Sequence, residues 1–310
     1  MSIAAAALLF LTAQAPTNEL APVVDHHQHL FSPAAGALAS GISTLDARQL
    51  VALLDAAGIR RAVVLSVAYQ FANPNRPAVQ DEYAKVRAEN DWTSEQVGQF
   101  PDRLVAFCGL NPLKDYALTE LARCATNSHL HNGLKLHFGN SDVDLDNGEH
   151  VQKLRMVFRA ANQHGMAILV HLRPSVTMKR PYGAAQARVF LNEVLPAAPD
   201  VPVEIAHLAS AGSYDDPSVD EALAVFVDAI AQGDARTAHV YFDVSGFGMD
   251  QWKQHGELVV RRIRQLGLRR MLYGTDGGIA PRTYWAAFRT LPLSESEFRT
   301  IAGNIAPYLR

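Results

Sequence analysis

After Pro22 the chain alternates short apolar runs, rich in β-branched residues, with longer stretches whose apolar positions recur at helical spacing. That alternation is the pattern of a parallel sheet whose strands are joined by crossover helices. The strand candidates are Val23–His29, Ala62–Val67, Leu104–Leu110, Gly133–His137, Ala167–His171, Val203–His207, Val240–Val244 and Arg270–Tyr273. Helices are expected at Asp46–Ala57, Gln80–Phe100, Tyr116–Asn127, Glu149–His164, Gln186–Leu195, Ser218–Gln232 and Asp250–Leu266, with a last helical region from Pro281 through Pro307. Gly58 and Gly267 sit where helix-terminating glycines belong, and Asp146 or Asn147 can cap the helix beginning near Glu149. Eight strands alternating with helices define an α/β fold, a (β/α)8 barrel of the TIM type. One such barrel takes roughly 250 residues, so a single domain over 22–310 fits the 310-residue chain better than two domains.

The longest irregular segments follow the second and fifth strands, around Tyr69–Val79 and Arg173–Ala184. Both belong at the C-terminal mouth of a barrel, where this fold builds its sites. They are candidate substrate-contacting loops, the plainer account being that Pro74, Pro77, Pro174 and Pro181 stiffen long connections.

The N-terminus differs in kind. Residues 1–15 form an apolar run ending in Thr12-Ala13-Gln14-Ala15, with the small residues at −3 and −1 that a signal peptidase requires. No Lys or Arg precedes the run and Pro16 would follow the cut, but the segment reads as a signal peptide and the protein as exported, to the periplasm, with a cytoplasmic location as the alternative. The run is shorter than the roughly 20 residues of a membrane span, so the mature protein is expected to have no membrane partner.

Composition narrows the partners. With 48% hydrophobic and 19% charged residues the chain can bury a large core, and a formal net charge of −3 gives no electrostatic reason to seek nucleic acid. A small-molecule substrate fits better, and a homodimer is compatible with the sequence. The two cysteines, Cys108 and Cys124, are too few for a disulfide framework and lie outside any CxxC pair; both are read as buried thiols.

The chemistry begins at Asp25-His26-His27-Gln28-His29, at the end of the first strand. Side chains alternate along a strand, so His27 and His29 point the same way and two imidazoles can reach one cation. An HxH pair alone is a weak signal. It gains weight because His171 ends the apolar run of the fifth strand, His207 that of the sixth, and Asp276 follows the eighth. In a closed barrel these strand ends converge on one cavity. Neutral imidazoles and one carboxylate suit a borderline ion such as zinc, and an ion with an open position lowers the pKa of water towards about 7. The metal set is read as His27, His29, His171 and Asp276 around one divalent ion, zinc, with manganese or a second metal as alternatives. Asp276 would also accept the proton of the attacking water and pass it to the leaving group.

These residues resemble the amidohydrolase superfamily, and within it the amidohydrolase-related family that includes aminocarboxymuconate semialdehyde decarboxylase. The resemblance runs from Val24 to about Leu309 and rests on five pieces: the HxH pair, Gly133-Leu134-Lys135-Leu136-His137, His171, Ala206-His207-Leu208 and Tyr273-Gly274-Thr275-Asp276. Gly303-Asn304-Ile305-Ala306 resembles the family's usual ending. The resemblance implies a metal-dependent hydrolase of an ester, lactone or amide, with His207 beside the metal polarising a carbonyl. Nonoxidative decarboxylation of a small carboxylic acid is the alternative. Other branches carbamylate a strand-four lysine to bridge two metals; the local pattern here looks like the one-metal branch, in which the Lys135 ammonium attracts an anionic group. His137 shares a face with Lys135, and Arg173 could clamp a substrate carboxylate; these two, with Tyr69, are the weaker substrate-binding candidates. Asp81, Glu82, Arg87, Glu89 and Asp91 read as a charged helix surface without a catalytic role.

Overall fold

The computed structural model describes residues 20–38, 43–277 and 280–310. The expected signal segment therefore lies outside the described residues. Eight parallel strands form one sheet in the order of the sequence. They are β1 (Val24–Gln28), β2 (Arg61–Leu65), β3 (Leu104–Gly109), β4 (Gly133–His137), β5 (Ala167–His171), β6 (Val203–Ile205), β7 (Val240–Asp243) and β8 (Met271–Leu272). The ring closes between the first and last strands through His26 N–H to Tyr273 O at 2.8 Å and Asp276 N–H to His27 O at 2.7 Å. The fold is the (β/α)8 barrel that the alternation predicts.

The connecting helices are α1 (Pro33–Leu38), α2 (Ala47–Ala57), α3 (Glu82–Gly98), α4 (Ala117–Ala125), α5 (Phe138–Ser141), α6 (Gly148–Gln163), α7 (Ala184–Val189), α8 (Pro217–Ala231), α9 (Met249–Leu266), α10 (Pro281–Phe288) and α11 (Glu295–Gly303). Their ends carry the expected punctuation. Asn147 accepts from the backbone N–H groups of Glu149 and His150 and so caps α6, and Gly58 closes α2 in the left-handed region at φ 70°. Among the described residues, no helix is long and apolar enough to cross a membrane.

Strand alternation divides the core. Leu134, Leu136, Ile168 and Val170 face outward into the main layer between sheet and helices, while Leu65, Phe107, Ala167 and Leu169 fill the barrel interior. Gly133 is required there, because a Cβ on it would lie 2.5 Å from the Phe107 ring. The C-terminal segment packs against the strand starts: Leu309 joins the interior cluster, its carbonyl accepts from Arg61, and the Ala306 N–H donates to His26 Nε2.

Two expectations are corrected. Cys108 and Cys124 are a disulfide, not a pair of thiols: α4 lies across β3 and brings their Cα atoms to 6.1 Å, within bridging range, although they are 16 residues apart. Glu89 does not belong to a solvated helix face. It is 2% exposed and accepts a hydrogen bond from Ser32 Oγ at 2.5 Å, because the polar face of α3 packs beneath the segment that follows β1.

Candidate metal centre

One irregularity in β1 sets the site. The pairing with β2 shifts register between Asp25 and Gln28, so Val24 packs in the interior cluster while His27 and His29, at the opposite parity, also face inward. The displaced Asp25 turns to the β8 side, where it accepts from the Thr275 N–H at 3.0 Å and the Thr275 hydroxyl at 2.5 Å. Burial outweighs these bonds and pushes the Asp25 carboxyl up to about 6.

His27, His29, Lys135, His137, His171, His207 and Asp276 all line one cavity of about 280 Å³. Ligating atoms of His27, His29 and Asp276 lie within 4.8 Å of one another. Asp276 Oδ1 is 3.4 Å from His29 Nε2 and 3.9 Å from His27 Nε2, and Oδ2 is 3.9 Å from His207 Nε2. His171 is in the same cavity but outside that group. Its ring stacks on His137 at 3.9 Å and meets the His207 ring at 5.1 Å.

The hydrogen bonds decide which nitrogens are free. His27 Nδ1 donates to Asp243 Oδ2 at 2.8 Å, His29 Nδ1 to the Leu65 carbonyl at 2.7 Å and His207 Nδ1 to the Ser245 carbonyl at 2.8 Å. Each bond commits Nδ1 to an acceptor and leaves Nε2 on the cavity side, the way ligating histidines are held. Burial, reinforced by the nearby Lys135 ammonium, pushes His27 down to about 3, so its imidazole is neutral. For Asp276, burial works towards protonation, but His29, His27 and His207 overcome it and hold the group well below the usual carboxylate range. Neutral imidazole lone pairs converging with a carboxylate suit a divalent ion of borderline softness; the residues fit the expected group.

Asp243 was not among the sequence candidates. It ends β7 fully buried and also accepts from the backbone N–H of His207 at 2.9 Å, the N–H of Ser245 at 3.0 Å and the Ser245 hydroxyl at 2.6 Å. It thus fixes two of the histidines at once. The backbone around them is strained: His207, Leu208 and Ala209 have φ of 55°, 50° and 62°, and Asp276 has 72°. Gly246, at φ 76°, passes so close that a Cβ would lie 2.8 Å from His207 Nδ1 and 2.9 Å from Asp276 Oδ2.

Lys135 is 1% exposed, with Nζ 3.2 Å from His27 Nε2. Desolvation lowers it to about 8, partly offset by Asp276, Asp243 and Glu204. His137 Nδ1 accepts the Asn140 N–H at 3.1 Å, and the Tyr69 ring packs 5.2 Å from the His137 ring; both residues line the cavity. Arg173 is not among the lining residues. It pairs with Asp216 at 2.5 Å and lies over the Tyr182 ring, while Arg180 in the same loop is bound by Asp142 and Asp144. The loop after β2 does supply lining residues, Tyr69 and Gln70.

A barrel with an imidazole–carboxylate centre at its mouth is the arrangement these contacts define. A family model described as amidohydrolase matches residues 24–304, and the chain belongs to that family. Among curated proteins, none matches the sequence. Similar solved structures include 5-carboxyvanillate decarboxylase from Sphingomonas paucimobilis, at 17% identity and TM-score 0.60 over 92% of this chain and 97% of that one. Another is a probable 2-pyrone-4,6-dicarboxylic acid hydrolase from Acinetobacter baumannii, at 16% identity and TM-score 0.58, covering 90% and 96%. A third is an amidohydrolase from Burkholderia multivorans with bound zinc, at 12% identity and TM-score 0.60, covering 91% and 96%. At these identities the likeness is one of fold.

Proposed function

We propose that this amidohydrolase-family enzyme is a metal-dependent decarboxylase of a small carboxylic acid. The observation that carries the reading is the pairing, in one cavity, of the His27–His29–Asp276 donor group with the buried Lys135 ammonium. That combination receives an anionic group beside a cation. His27, His29 and Asp276 hold one divalent ion, zinc or manganese, and His171 completes the set by turning towards it; Lys135 acts as an ammonium rather than as a carbamate. The ion, when bound, supplies electrophilic polarisation of a substrate oxygen or activation of water. Lys135 gives up its contact with His27 Nε2 and attracts the substrate carboxylate. Breaking the bond to carbon dioxide leaves an electron pair on carbon; Asp276 and His207 Nε2, the proton-accepting groups of the cavity, would first take a proton from solvent or from the Lys135 ammonium and then pass it to that carbon. The decarboxylase of the same fold supports this reading.

Hydrolysis of a small ester, lactone or amide is the second reading. It is favoured by the ionised state of Asp276, which suits a proton acceptor, and by the pyrone hydrolase of the same fold. One experiment separates the two: zinc- and manganese-loaded enzyme is screened against carboxylated aromatics, lactones, esters and amides. Released carbon dioxide supports decarboxylation, whereas new carboxylate and alcohol or amine without carbon dioxide replaces it by hydrolysis. A metal-to-protein ratio near two would overturn the single-ion assignment.

Export, with cleavage after Ala15, belongs to the same proposal. The Cys108–Cys124 disulfide supports it, since such bonds persist in oxidising compartments. N-terminal sequencing of protein recovered from the periplasmic fraction tests it.

A further inference from the structure

Asn73, buried in the connection after β2, controls two amides in the cavity wall. Its own orientation is settled by a backbone N–H, which can only donate: the Asn75 N–H reaches Asn73 Oδ1 at 2.9 Å, as does Asn75 Nδ2 at 2.9 Å. The other end of the Asn73 amide is therefore its NH2 group. That nitrogen donates to Gln70 Oε1 at 3.3 Å and to Asn140 Oδ1 at 3.3 Å. Both residues line the cavity, and with their oxygens on Asn73 their NH2 ends are what each has to donate; the Gln70 side chain also hydrogen-bonds Tyr69, in the same lining. The frame is tied across three connections. Asn75 Nδ2 also donates to the Gly139 carbonyl at 3.0 Å, next to Asn140, and Asn75 Oδ1 accepts from Ser175 Oγ at 3.2 Å in the loop after β5.

We propose that Gln70 and Asn140 form a paired donor site for a second carboxylate of the substrate, borne on the same small molecule whose reacting group goes to the His27–His29–Asp276 cluster, and that Asn73 is the residue that positions the pair. The proposal rests on the metal-centre reading above and adds a substrate class, small dicarboxylated molecules. The hydrogen-bond inventory selects this chemistry. A ligand hydroxyl could accept from these amides but would still carry a proton of its own to place, whereas a carboxylate accepts only and takes a donor on each oxygen. Two NH2 groups from separate side chains match the two oxygens of one carboxylate. The Arg173 guanidinium, paired with Asp216, is not available for that task. Lys135 serves the other end of the ligand, beside His27.

The test is binding of isophthalate, terephthalate and benzoate to the zinc-loaded full-length chain by titration calorimetry. It compares wild type with Gln70→Leu, Asn140→Leu and Asn73→Ala. The wild type is expected to bind the better of the two dicarboxylates about tenfold more tightly than benzoate. Each variant should reduce that ratio below twofold while zinc content stays at the wild-type level. Asn73→Ala is the informative case, since it removes no group from the cavity wall and acts by releasing the two amides together with the Asn75 contacts behind them. A wild type that does not prefer a dicarboxylate, including one that binds none of the three acids, overturns the proposal, as does a ratio that survives in the variants. Because the readout is binding, failure to detect turnover would count against the reaction proposed above and not against this site.

Discussion

Replacing Asp243 by asparagine is expected to weaken metal binding roughly 10- to 100-fold without removing a ligand. The substitution is nearly isosteric, so the geometry dictates its effect. Two backbone donors, the N–H groups of His207 and Ser245, lie on Oδ1 at 2.9 and 3.0 Å and hold the amide oxygen on that side. The new NH2 group then replaces Oδ2, which is 2.8 Å from His27 Nδ1. Two donors would face each other unless His27 moves its proton to Nε2, and that move removes the lone pair aimed at the ion. The loss is one hydrogen bond to a charged group, about 1.5–3 kcal/mol, which at about 1.4 kcal/mol per factor of ten gives the range stated. Competition for zinc against a chromophoric chelator at neutral pH measures it, with circular dichroism confirming that the variant is folded. A folded Asp243→Asn variant whose zinc affinity stays within threefold of wild type would refute the claim that Asp243 sets the His27 tautomer.

The other predictions are simpler. Asp276→Asn should abolish turnover under either reaction, read by carbon dioxide release and product analysis; an active variant removes Asp276 from the proton-transfer role. Gly246→Ala puts a Cβ 2.8 Å from His207 Nδ1 and forces a left-handed alanine, so it should cost about 1–3 kcal/mol in urea unfolding and lower zinc affinity as well. Reducing the Cys108–Cys124 bond, whose partners are 16 residues apart, should cost about 3 kcal/mol; unfolding with and without dithiothreitol checks this, and free thiols titrated in denaturant without reductant would contradict the bond itself. Glu89 has its pKa raised by burial, against hydrogen bonds from Ser32. A raised folded-state value means the contribution to stability is complete below the unfolded-state pKa and is lost as pH rises through the folded one. Glu89→Gln should therefore be at least as stable as wild type at pH 7, with that advantage disappearing below about pH 4.5; urea unfolding that finds the variant markedly less stable than wild type at pH 7 would contradict this.

The barrel was legible because its signal repeats. Each strand carries its own apolar run, and runs such as Ala167–His171 and Gly133–His137 have the same bounds in sequence and structure. The convergence of His27, His29 and Asp276 followed from the rule that polar residues at strand ends meet in this fold. The same rule would have found Asp243, which ends the run Val240-Tyr241-Phe242, had it been applied to β7. Other features depend on three-dimensional neighbours that periodicity does not encode. The register shift in β1 changes which residues face inward, and the packing of α4 on β3 joins two cysteines that look independent in the chain. Arg173 illustrates the opposite error: a cation near a site looks available until its counter-ion, 43 residues away, is known.

At the seam between the last strand and the first, the Asp276 N–H bonds to the His27 carbonyl, so the contact that shuts the cylinder also sets the Asp276 carboxylate beside the His27 and His29 imidazoles. The position of the Asp276 carboxylate thus depends on the same backbone contact that joins the last strand to the first. A change at this seam would therefore reach the cavity directly, whereas the connections after β2 and β4 reach it through their own side chains, Tyr69, Gln70 and Asn140.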